Sequence, residues 1–77
     1  KIAKKALEDF VLDVEPVSNQ VVVKTTTAAA QVIAESIDNL YIDNIVASIA
    51  GDNVVLIISK DETKAKEVSK TIEDNIK

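Results

Sequence analysis

Ser48-Ile49-Ala50-Gly51-Asp52-Asn53 sets a carboxylate and a carboxamide next to the only glycine in the chain. Between two β-branched runs the stretch reads as a hairpin turn, because glycine reaches positive φ freely and Asp and Asn tolerate left-handed geometry. A carboxylate on a tight turn at the rim of a sheet is placed to meet a cationic ligand or a neighbouring subunit. A second stretch, Thr25-Thr26-Thr27-Ala28-Ala29-Ala30-Gln31, reads as the start of a helix with Thr27 as its N-cap. Helix starts offer backbone N–H groups to an anion such as a carboxylate, although plain capping accounts for the same residues. Set beside Asp52, this helix start would give a site with one anion-binding and one cation-binding end. An amino acid with a cationic side chain has that charge pattern.

Other chemistry has little to work with. Histidine and cysteine are absent, which excludes Ser-His and Cys-His nucleophiles, a disulfide staple and a structural zinc site. The carboxylates of Asp38, Asp43 and Asp52 are acid/base candidates in principle, but their spacing marks no pair among thirteen acidic residues. No ligand spacing of the Asp-x-Asp-x kind marks a magnesium or calcium site. The expectation is no catalytic residue, no metal and no cofactor. A net charge of -4, with nine lysines and no arginine, argues against this segment holding DNA or RNA by itself. No apolar run reaches the roughly 18 to 20 residues of a membrane span. The chain is expected to be cytoplasmic, without a membrane partner.

The elements that must position these residues follow from periodicity. Residues 1–9 read as a linker or short helical lead-in with Lys1, Lys4 and Lys5 facing solvent, and residues 10–77 as the domain. Phe10-Val11-Leu12-Asp13-Val14 alternates as a strand. Glu15-Pro16-Val17-Ser18-Asn19 is expected to stop it, and Gln20-Val21-Val22-Val23-Lys24-Thr25 forms a second strand. Ala30, Ile33, Ala34, Ile37 and Leu40 then recur at helical spacing, with Gln31, Glu35, Asp38 and Asn39 off that stripe. A third strand is expected over 45–50 and a fourth over 54–58, whose unbroken apolar character fits an interior strand. Ser59-Lys60-Asp61-Glu62 matches a capping box, with Asp61 as the alternative cap, before a helix striped by Ala65, Val68, Ile72 and Ile76. The resulting expectation is a two-layer α+β domain in the order β-β-α-β-β-α, a four-stranded antiparallel sheet with two helices on one face. A domain of 77 residues buries only about 60% of its unfolded surface, so self-association through the uncovered apolar sheet face is the expected support.

From about Leu7 to Ile76 the sequence resembles the C-terminal domain of bacterial arginine repressors. Three stretches carry the resemblance: Phe10-Val11-Leu12-Asp13-Val14, the helix from Ala29-Ala30-Gln31-Val32-Ile33-Ala34 through Ile37-Asp38-Asn39-Leu40, and Ile49-Ala50-Gly51-Asp52-Asn53. The last is similar to the family signature Gly-Thr-Ile-Cys/Ala-Gly-Asp-Asp-Thr. The resemblance implies a homo-oligomer, a trimer pairing with a second trimer into a hexamer, with L-arginine bound as corepressor between the trimers. It implies Asp52 as guanidinium acceptor, with Asn53 beside it, Asp38 as partner of the ligand's ammonium and Gln31 as a polar orienting contact. Ser48, at the motif's threonine position, and Ala30 complete the implied set. Operator DNA would be met only through a DNA-binding domain preceding this one, and the absence of an initiator methionine fits a fragment of a longer protein. Ala47 replaces the motif glycine, Asn53 its second aspartate, and Thr27-Ala28 the common Pro-Gly before the helix. Asn53 leaves an alternative in view, an oligomerisation module with weak or lost arginine binding.

Overall fold

The computed structural model describes residues 2–76; the expectation for Lys1 lies outside them. Helix α1 (Ile2–Phe10) leads into strands β1 (Val11–Val17) and β2 (Gln20–Thr25), helix α2 (Ala30–Asp38), strands β3 (Ala47–Ala50) and β4 (Val54–Ile58), and helix α3 (Glu62–Ile76). The expected β-β-α-β-β-α order is observed; the segment read as a linker or short helical lead-in is helical as α1, which ends at Phe10, so Phe10 belongs to the helix and not to the first strand. The strands form one antiparallel sheet in the order β1-β2-β4-β3, so each hairpin supplies one half and the β2–β4 pair joins them.

Alternation along the strands decides which face the helices cover. Val14, Val21, Val23, Val55 and Ile57 point to one side and are buried in a core completed by Ala30, Ile33 and Ile37 of α2 and Ala65, Val68 and Ile72 of α3. Both helical sets follow the i, i+3, i+7 spacing that puts side chains on one stripe. Leu7 of α1 is fully buried in the same core, so the helical layer has three members. β4 lies between β2 and β3, the interior position its sequence calls for. On the other face Val22, Val54, Leu56 and Ile58 are half-buried, and Ile49 is 65% exposed.

Five local expectations are corrected. Pro16 does not end the first strand: β1 continues to Val17, with Pro16 opposite Val21, and the hairpin loop is only Ser18-Asn19. An edge strand has a free side on which a missing N–H leaves no gap in the ladder. Gly51 is not left-handed; positive φ falls instead on Ser18, Ala28, Tyr41 and Asn44. A Cβ at Gly51 would meet Val54 Cγ1 at 3.5 Å, ordinary contact, so the turn closes by the Gly51 N–H donating to the Val54 carbonyl at 2.8 Å without needing a glycine. Thr27 does not cap α2, which starts at Ala30 after Ala29, a residue with no side chain to cap it. Ser59 does not join a capping box, because it is buried and its hydroxyl donates to the Asn44 carbonyl at 2.8 Å. The alternative cap is used: Asp61 Oδ1 accepts the Lys64 N–H at 2.8 Å. The third strand is also shorter than expected, beginning at Ala47 after left-handed Asn44 turns the chain.

Candidate functional site

Pairing of β2 with β4 brings the acidic turn to the start of α2. The last β2–β4 register pair is Lys24 with Val54, and one residue further the Thr25 N–H, still paired with β1, extends the ladder to the Asn53 carbonyl at 2.9 Å. Two further bonds fasten the next residues: the Ala30 N–H donates to the Asp52 carbonyl at 3.2 Å, and the Ala28 N–H to Asp52 Oδ2 at 3.4 Å. The carboxylate of Asp52 therefore sits against the positive end of a helix while staying exposed to solvent. Ala28 reaches it by adopting φ 66°, a left-handed conformation that costs an L-residue roughly 1–2 kcal/mol. Two of the amides expected to be open to a ligand anion are thus engaged by Asp52 itself.

The other expected site residues are distributed as follows. Asn53 is exposed beside Asp52. Ala30 is fully buried, its methyl group in the core, so its backbone is what borders the site. Gln31 and Asp38 are both exposed on α2, seven residues apart and so on nearly the same face, about 10 Å along the axis. Ser48 lies on the helix-facing side of edge strand β3, half-buried opposite Ile57. Among the described residues no hydrogen bond joins the side chains of Gln31, Asp38, Ser48 or Asn53 to Asp52. Within one chain the fold brings together Asp52, Asn53 and the Ala30 backbone, and leaves Gln31 and Asp38 along the neighbouring helix surface.

Left-handed Ala28 is the site feature that reasoning from residue type misses, since alanine announces no special backbone. The signal was positional, the replacement of Pro-Gly by Thr27-Ala28. An open groove of about 400 Å³ lies elsewhere, beyond the C-terminal end of α2, and none of the expected site residues line it. The turn at Asp52, by contrast, has the hydrogen bonding and the motif. Among the described residues no helix is long and apolar enough to cross a membrane, and no group of three or more acidic, histidine or cysteine side chains is arranged to hold a metal ion.

Comparison with known proteins bears on the same segment. Residues 7–74 match the family described as arginine repressor, C-terminal domain. An arginine repressor of Clostridium acetobutylicum is 51% identical over 71% of this chain and 37% of its own length. One from Clostridium novyi is 44% identical, covering 92% of this chain and 49% of the relative. One from Halothermothrix orenii is 32% identical, covering 92% and 47%. The chain spans about half the length, or less, of these curated relatives. Their name is that of a repressor rather than an enzyme. With the family match covering the sheet and most of the helical layer, this chain belongs to the arginine repressor C-terminal domain family.

Proposed function

We propose that this chain is the ligand-sensing oligomerisation domain of an arginine-responsive, cytoplasmic transcriptional repressor, with L-arginine as corepressor and no other cofactor. The observation that carries the reading is the placement of Asp52: its backbone and one carboxylate oxygen are fastened to the start of α2, while the carboxylate remains exposed to a cation. A guanidinium offers five donors, and a carboxylate is its best acceptor. Asp52 receives the guanidinium, Asp38 the ammonium group, and Gln31, Asn53, Ser48 and the Ala30 backbone border the pocket. Because these residues lie spread over the surface of one chain, a neighbouring chain closes the site. The uncovered apolar sheet face supplies a contact for homo-oligomers, and the assembly is a trimer that pairs into a hexamer. Ligand contacts shared between chains link binding to assembly, so arginine favours the hexamer and in turn the arrangement of DNA-binding domains outside this segment.

Titration calorimetry tests the site. Asp52→Ala is expected to abolish arginine binding while circular dichroism stays unchanged, since the bond it loses is long and exposed. Undiminished binding would remove Asp52 from the site.

Asn53 favours a second reading, an oligomerisation module in which arginine binding is weak or lost. A carboxamide has one accepting oxygen and an NH₂ that cannot accept. One lost charge-assisted bond costs about 1.5–3 kcal/mol, roughly ten- to a hundredfold in affinity. Asn53→Asp should recover that factor in the same titration, and no gain would count against this reading.

A further inference from the structure

We infer that the groove between the α2–β3 connection and α3 is a second binding site, for a small organic cation on an apolar stem. Its volume, about 400 Å³, suits a small molecule. Leu40 and Ile42, both packed on the core, form an apolar base, and left-handed Tyr41 stands at the side with 86% of its surface exposed. Asp43 lines one wall and Glu67 the other, and no lysine is among the lining residues.

The hydrogen bonds around the groove set its polarity. The Thr71 hydroxyl donates to the Glu67 carbonyl at 3.0 Å, Asn75 Nδ2 to the Thr71 carbonyl at 2.9 Å, and Asn44 Nδ2 to Glu67 Oε1 at 3.2 Å. These bonds engage the Thr71 hydroxyl and one N–H each of Asn75 and Asn44 within the chain. Carboxylate oxygens, Thr71 Oγ1 and Asn75 Oδ1 are left as acceptors. The α3 lysines do not answer them: Lys64, Lys66 and Lys70 lie within 4.0 Å of Asp61, Glu62 and Asp74 respectively. Asp43 and Glu67 have no ion-pair partner among the described residues. The complement of such a surface is a multi-donor cation, an alkylammonium or alkylguanidinium, with its stem over Leu40 and Ile42 and its charge beside the Tyr41 ring. The site needs no ligand carboxylate, which separates its chemistry from the amino-acid site at Asp52.

Heteronuclear NMR titration of the chain with 1,5-diaminopentane and with butylguanidinium tests this. Saturable shifts are expected at the amides of residues 40–44, Thr71 and Asn75, with half-saturation weakened roughly tenfold in Asp43→Asn and Glu67→Gln. Glu73→Gln, elsewhere on α3, should leave the titration unchanged. Glutamine at 67 keeps an oxygen for Asn44, so the fold is not at issue. Absent or non-saturating shifts would overturn the proposal, as would equal weakening in Glu73→Gln, which would mean diffuse attraction to net negative charge. Shifts confined to Asp52 and Asn53, with none at residues 40–44, would also overturn it, while leaving the arginine reading intact.

Discussion

Ala28 holds a left-handed backbone without the residue type that adopts it freely, and its N–H meets the carboxylate of Asp52. Ala28→Gly is therefore expected to stabilise the chain by about 1 kcal/mol, the relief of φ strain exceeding the extra entropy of the unfolded glycine chain. Urea denaturation measures this, and a lower midpoint would show that the left-handed conformation carries no strain. At this scale the sequence was partly legible. The proximity of Asp52 to the start of α2 follows from two hairpins meeting at β2 and β4, and the residues for both were recognisable. What was not legible was conformation. Gly51, the residue freest to be left-handed, is not, whereas Ser18, Ala28, Tyr41 and Asn44 are, because φ at a connection is set by the elements it must join.

At the scale of elements, period and alternation located the sheet and two helices, because each buries one face against the other layer. Boundaries and roles were harder to read. Four-residue motifs are shared between competing uses: Ser59 could cap α3, but burial beneath the α2–β3 connection commits its hydroxyl to Asn44 instead. Asp61 takes the role, and Asp61→Ala is expected to cost about 1 kcal/mol in stability by freeing the Lys64 N–H. An unchanged thermal midpoint would remove that cap from the account. Pro16 shows the same dependence on context, since whether it breaks a strand turns on whether the strand is at an edge. The packing of α1 was hidden for another reason. Its exposed Lys4 and Lys5 give it a solvated look, while Leu7 carries a fully buried side chain to the core beside buried Ala6.

At the scale of the whole molecule, one face of the sheet is covered by three helices, while the other presents Val22, Leu56 and Ile58 with Ile49 exposed beyond them. A small domain that leaves such a face open gains by pairing it with another chain. Ile49→Lys places a charge there on a short edge strand, opposite Leu56 and away from the core. It is expected to shift the assembly towards smaller species in light scattering while leaving circular dichroism unchanged; unaltered mass would put the subunit contact elsewhere.

The claim that joins site, elements and assembly is that arginine binding and oligomerisation are one linked equilibrium. Sedimentation velocity with and without millimolar L-arginine tests it most directly. The expected result is a shift from trimer towards hexamer on adding arginine. A species indifferent to arginine and no larger than a dimer would contradict the account.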